Sequence, residues 1–268
     1  MFTRTAGRVA SASLVASALV TLLSGCFPPS SGAAPGNPTA VIGSGPPVPT
    51  ESDCPNPRGG GCVGLLPAGE HRTTTFEPQF SYTVPVGWTN MEDLRGNFLL
   101  FRQQDSPPGD FGQFRSQHRQ PGASARNFLG IYRNVHAAAL DCDALWQGHV
   151  GTTPAELVAW YETVPGLIVS EPRAVTVGGF DGLQIDVSLE PAAGACRFDG
   201  YAAVPLIIGN GISSLHHGIA EGSEKRLVFL EWGPGNITLE ITSSGEQRSA
   251  EAFRSQLQPI IDSLVFEQ

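Results

Sequence analysis

Lysine is nearly missing from this chain: of its 16 basic residues, 15 are arginine, and Lys225 stands alone. Acidic residues number 25, so the formal charge is −9. Nucleic acids and anionic lipid surfaces reward broad basic patches, and this balance argues against both as partners of the folded body. Catalytic and metal signatures are absent too. There is no Cys-x-x-Cys, no His-Glu-x-x-His and no calcium-loop spacing, and no histidine stands at ligand distance from a cysteine. The nearest approach to a Gly-x-Ser-x-Gly elbow, Gly211-Ile-Ser-Ser-Leu215, lacks its closing glycine. No cofactor and no catalytic residue is therefore assigned. Long apolar runs are also missing, because the apolar stretch near the start, Val9–Leu23, has 15 residues, four of them Ser or Thr. About 20 apolar residues are needed to cross a bilayer.

What is present at that end is an export signal. Arg4 and Arg8 precede the apolar run, and small residues, Leu23-Ser24-Gly25, lead into Cys26. Leu-Ser-Gly-Cys resembles the bacterial lipobox at every position. The resemblance implies cleavage after Gly25 and a diacylglyceryl thioether on Cys26, which places the protein on the extracytoplasmic face of the cell membrane. Loss of Arg4 and Arg8 with the signal takes the mature charge to −9 − 2 = −11. Two acyl chains hold stably where one does not, each buried CH₂ contributing about 0.8 kcal/mol.

Phe27–Asp53 carries seven prolines and four glycines in 27 residues and too few apolar side chains to offset its own ordering entropy. It reads as a semi-extended tether that lifts the C-terminal domain off the bilayer, with a ceiling of ~3.1 Å per residue if fully polyproline-like. The expected organisation is signal 1–25, lipidated tether 26–53 and one globular domain 54–268.

With Cys26 lipidated, four cysteines remain: Cys54, Cys62, Cys142 and Cys196. An even remainder in an exported chain points to disulfides, for which three pairings exist. Cys54–Cys62 and Cys142–Cys196 are favoured, the first because Pro55–Gly61 turns easily back on itself. Chain entropy assigns the two loops about 2.6 and 4.2 kcal/mol.

In the domain, Phe80–Pro85 alternates as a half-buried strand ending in a Pro85–Trp88 turn, and Asn97–Arg102 and Phe128–Val135 come next as strands. Thr153-Pro-Ala-Glu156 opens a helix with a capping box and proline at the first position, and Val164-Pro-Gly166 stops it. Further strands fall at Arg173–Val177, Gly182–Leu189 and around Tyr201–Ile208. A hairpin pairs Arg226–Trp232 with Ile237–Thr242 across Gly233–Asn236. In its second arm Ile237, Leu239 and Ile241 are assigned to one face, and Thr238, Glu240 and Thr242 to the other. Glu246–Leu264 closes the chain as an amphipathic helix despite Pro259. The sum is an α+β domain, a mainly antiparallel sheet of about six or seven strands with two packed helices.

Phe80–Trp88 (FSYTVPVGW), Asn97–Phe101, Val175–Val187 (VTVGGFDGLQIDV) and the closing IIDSLVF together resemble actinobacterial secreted lipoproteins related to the PsbP-like sandwich. That resemblance implies a non-catalytic accessory or binding module, with an envelope protein or an apolar ligand as partner. The motifs are fold-marking glycines, prolines and core residues and transfer no catalytic group. Two further places draw attention. Gln103–Asn127 is a long polar stretch with Arg115, His118, Arg119 and Arg126 among Phe111 and Phe114, a solvated loop or an anion contact. Ser213, Ser214, His216 and His217 are the place where a cryptic cell-envelope hydrolase would sit. Adjacent histidines on a strand point to opposite faces, which argues against it. Gly178-Gly179 reads as a turn, and Trp88, Trp160 and Trp232 as core fillers.

Overall fold

The computed structural model describes residues 64–105, 127–143, 145–191, 193–198, 201–209, 217–244 and 247–267. In chain order its first strands are β1 (Gly64–Leu66), β2 (Gly69–Arg72), β3 (Phe80–Val84), β4 (Trp88–Leu94), β5 (Asn97–Arg102), β6 (Phe128–Arg133) and β7 (His136–Ala137). Helix α1 (Pro154–Tyr161) precedes β8 (Leu167–Val169), β9 (Arg173–Val177), β10 (Phe180–Leu189) and β11 (Cys196–Phe198). Then come β12 (Tyr201–Pro205), β13 (Ile207–Ile208), β14 (Gly218–Ala220), β15 (Ser223–Trp232) and β16 (Gly235–Ser244). Helix α2 (Gln247–Asp262) and β17 (Val265–Phe266) end the described chain.

A nine-stranded sheet forms the centre, in the order β1-β4-β5-β6-β16-β15-β10-β8, with β9 beside β8 on the outer edge of β10. Its pairings are antiparallel. The count exceeds the six or seven strands expected for two reasons. Strands of two to four residues carry too little pattern to read. In β4 a bulge between Asn90 and Glu92 breaks the alternation, so the segment after Pro85 shows as a turn alone.

Both faces of this sheet are covered. On one lie α2 and the small β17-β3-β2 sheet, over a core of Phe80, Phe98, Leu129, Leu239, Phe253 and Leu257. On the other lie α1 and the β11-β12-β14 sheet, over Tyr132, Leu157, Tyr161, Ile185, Val204 and Phe229. The two faces of β16 divide as expected, and the sheet's two-sided cover buries both. Ile237, Leu239 and Ile241 face α2, but Thr238, Glu240 and Thr242 are equally shut from solvent.

The α1 boundaries reflect their chemistry. Thr153 accepts from the Glu156 N–H, and the Glu156 carboxylate takes the Thr153 N–H in return, which completes the capping box. In α2 the apolar stripe Ala250, Phe253, Leu257, Ile260 and Ile261 is buried to the last residue. Each such Leu, Ile or Phe contributes roughly 1.5–3 kcal/mol. Pro259 sits on the exposed side and the helix runs through it. The β15–β16 hairpin turns in two residues, Trp232 facing Gly235, with Gly233 at φ +52 in the region that favours glycine. Asn236, expected in the turn, is instead buried. It donates to the Val135 and Thr152 carbonyls at 2.9 and 2.8 Å and holds the β6–β7 connection against the hairpin. Trp88 is a core residue as expected, whereas Trp160 and Trp232 are only part-buried.

Cys142 and Cys196 form a disulfide with Cα atoms 5.7 Å apart. It ties the loop after β7 to the start of β11. Cys26, Cys54, Cys62, the tether and the Arg115–Arg126 cluster lie outside the described residues.

Candidate functional site

Two places in the domain gather functional side chains, one open and one closed. The open one is a cleft of about 310 Å³ between the last turns of α2 and the β9–β10–β15 part of the sheet. Gly178 and Gly179, at φ +58 and +91, turn β9 tightly onto β10 and carry Val175 and Val177 to the cleft wall. Val228, Ile241 and Ile261 supply the rest of the apolar lining. A side chain at Gly178 would strike Phe266, whose ring lies 5.6 Å from that of Phe180.

The polar groups of the cleft come from register. Asp186 of β10 sits directly opposite Arg226 of β15, and the guanidinium donates to both carboxylate oxygens at 2.7 and 2.9 Å. That bidentate pair raises the Arg226 pKa, against the opposing effect of burial. Gln184 lies one repeat along β10. On the roof, Gln258 and Asp262 are one helical turn apart, and the Gln258 amide donates to Asp262 Oδ1 at 2.7 Å. A volume of this size sits at the lower end of ligand-pocket volumes, which start near ~300 Å³.

A second hollow of about 370 Å³ is lined by Val86, Gly87, Trp88, Arg102, Gln103 and Gln104. It adjoins residues outside the described set.

The closed place lies on the α1 side. Glu240 of β16 is wholly buried. Its Oε2 accepts from His217 Nδ1 at 2.6 Å, and its Oε1 accepts from Lys225 Nζ of β15 and from Thr242 Oγ1 at 3.3 Å. Burial pushes the Glu240 carboxyl up, but Lys225 and His217 together outweigh it and bring the pKa down to about 2. Tyr132 stands over the group, its ring edge-on to His217 at 4.9 Å. Burial, and then the charges of Glu240 and Glu92, push its phenol well above the ordinary value. The phenol fits because its neighbour on β6 is Gly130: a Cβ there would come 2.0 Å from the Tyr132 hydroxyl. Tyr161 of α1, raised by burial and by Glu240, donates to the Leu206 carbonyl at 2.8 Å.

A carboxylate that orients an imidazole through Nδ1 is the acid–base half of a hydrolytic relay. Here the same carboxylate also holds an ammonium, and both partners are buried with it. Ser213, Ser214 and His216, the other members of the sequence cluster, lie outside the described residues. No group of three or more His, Cys, Asp or Glu among the described residues is arranged to hold a metal ion. Sequence reasoning missed Glu240 and Lys225 as a pair. The available signal was Lys225 itself, the lone lysine in an arginine chain, on the same strand face as Leu227 and Phe229.

No protein-family model and no curated protein sequence matches the chain. Among solved structures it is similar to LpqN of Mycobacterium tuberculosis, described as involved in cell envelope biogenesis. The TM-score is 0.36 and the identity 10%, covering 76% of this chain and 87% of that one. It is also similar to the cyanobacterial PsbP of Synechocystis, at TM-score 0.34 and 10% identity over 78% of this chain and 98% of that one. A Bacteroides thetaiotaomicron protein gives TM-score 0.25 and 15% identity, over 70% of this chain and 45% of that one. At these scores no function passes from one chain to another.

Proposed function

We propose that the chain is a membrane-anchored extracytoplasmic lipoprotein whose α+β domain is a binding or accessory module, and that the cleft under α2 takes its ligand. The observation that carries this is the cleft: aliphatic side chains beside a comparable set of polar groups, with no serine, cysteine or histidine among the residues that line it. The lipobox-like Leu23–Cys26 and the tether supply the address. A body of charge −11 suits display away from an anionic surface.

Nile red, a neutral apolar dye, reports the cleft directly. Its fluorescence is expected to rise on binding the full chain. Val175→Trp, which fills the mouth from a tolerant edge strand, is expected to weaken that binding at least tenfold with thermal unfolding unchanged. Equal binding by the two proteins would remove the cleft from the proposal.

A hydrolase is the second reading, favoured by the 2.6 Å His217–Glu240 contact alone. Against it stands the sharing of Glu240 with Lys225, which leaves the imidazole inside a closed ionic group. Ser213→Ala, Ser214→Ala, His216→Ala and His217→Ala are each expected to leave turnover of p-nitrophenyl esters at the wild-type background. Loss of a nucleophile or its base costs orders of magnitude in rate. A measurable wild-type hydrolysis abolished by one of these changes, with the fold intact, would replace the binding assignment.

A further inference from the structure

Resting on that binding assignment, the geometry points to a ligand class: we infer that the cleft under α2 takes an amphiphile whose head is a protonated amine. The inference comes from charge. Three ionised side chains line or underlie the cleft: Arg226, Asp186 and Asp262. Arg226 is spent on Asp186, because its Nε and one terminal nitrogen each donate to a carboxylate oxygen at 2.7 and 2.9 Å. The cleft therefore keeps one uncompensated negative charge, that of Asp262. Among the described residues Asp262 makes no ion pair, and its one side-chain partner is the neutral Gln258 amide.

Hydrogen-bond inventory selects the head further. Gln258 gives its N–H to Asp262 Oδ1, so its amide oxygen remains an acceptor beside the same carboxylate. The Gln184 amide supplies another on the floor. An ammonium brings three N–H donors and no acceptor, and these three groups offer a carboxylate and two amide oxygens. A carboxylate or phosphate head would instead meet the like charge of Asp262 at the rim of the cleft. Val175, Val177, Val228, Ile241 and Ile261 then accept the alkyl part. The volume of about 310 Å³ limits that part to a single chain or a short branched one.

Three amphiphiles with one chain and different heads test this by displacement of Nile red from the full chain, below their micelle concentrations and at fixed ionic strength. Dodecylammonium is expected to displace the dye at a concentration at least tenfold lower than dodecanoate, with dodecyl maltoside between them. Asp262→Asn is expected to bring ammonium and maltoside to parity. Glu251→Gln, which removes the same charge from an exposed position of α2, is expected to keep the ammonium preference and so exclude a general effect of the acidic body. Dodecanoate at or ahead of dodecylammonium would overturn the amine assignment, as would an ammonium preference that survives Asp262→Asn or disappears in Glu251→Gln. In each case the cleft remains a binding site. Nile red binding indifferent to Val175→Trp would instead take away the cleft, and the ligand class with it.

Discussion

Lys225→Met is expected to destabilise the domain by about 3–5 kcal/mol at pH 7, a large share of the ~5–15 kcal/mol that a domain of this kind has in hand. The cost is the Glu240 carboxylate left behind. It is fully buried, and with Lys225 gone its partners are His217 and the Thr242 hydroxyl, which do not replace the ammonium. Replacing both members, Lys225→Met with Glu240→Leu, is expected to recover most of the loss, because removing a buried pair together avoids the uncompensated charge. Lys225→Arg is expected to rescue only in part. A planar guanidinium does not fit a point contact built for an ammonium, in a chain that otherwise uses 15 arginines for its positive charge.

The acid limb gives this cluster a second signature. In the folded chain the Glu240 pKa lies at about 2, below the 4.5 of a free carboxyl, so the unfolded chain binds the proton more readily. The cluster's contribution is complete above the unfolded value and is lost as pH falls from about 4.5 toward 2. In Lys225→Met the sign reverses. Burial then raises the Glu240 pKa, the folded state gains by taking up a proton, and the deficit measured at pH 7 shrinks on acidification. Urea unfolding at pH 7 and pH 4.5 reads both effects. A loss below 1 kcal/mol at pH 7, or a deficit that grows at lower pH, would remove the charge cluster as a structural element.

How much of the fold is legible in the sequence depends on the range of each interaction. The α1 start is legible because Thr153, Pro154 and Glu156 satisfy one another within a single turn. The α2 stripe is legible because a helix repeats its buried face every three to four residues, and Phe253, Leu257, Ile260 and Leu264 keep that spacing. β4 is not, because Asn90, Glu92 and Asp93 are polar yet buried for reasons that lie elsewhere in the chain. Asp93 is inside because it accepts the backbone N–H groups of Thr74 and Phe76 at 2.6 and 2.8 Å. Alternation places Glu240 opposite the aliphatic face of β16, but it says only that two faces differ and cannot say that a second layer covers the polar one. The cleft is beyond local reading altogether. Val175, Arg226, Ile241 and Ile261 lie on four separate elements, and no spacing in the chain brings them together. By contrast, the Cys142–Cys196 bridge spans 54 residues and belongs to one of the three pairings that an even cysteine count leaves, the one favoured from the sequence.

Cys26→Ala is expected to move the protein from the membrane fraction to the soluble extracytoplasmic fraction, a change from nearly all bound to nearly none. Membrane retention in this proposal rests on the acyl chains at Cys26, and each buried CH₂ contributes about 0.8 kcal/mol, so losing both chains removes far more than thermal energy can replace. No helix among the described residues is long and apolar enough to cross a membrane. The signal run Val9–Leu23, at 15 residues with four Ser or Thr, falls short of the ~20 that a span requires. The acidic body adds no compensating attraction, since a surface of charge −11 is repelled by anionic lipid headgroups. Because an unlipidated Cys26→Ala chain could keep its signal uncleaved, a second protein is needed, residues 27–268 exported behind a signal whose removal involves no lipid. Both are expected in the soluble fraction, with the Cys142–Cys196 disulfide formed and Nile red binding unchanged. If the 27–268 chain still sediments with membranes after a high-salt wash, an attachment other than Cys26 holds it, and the lipid-anchor assignment fails. If that chain is soluble while Cys26→Ala alone stays bound, retention belongs to the uncleaved signal and the assignment stands.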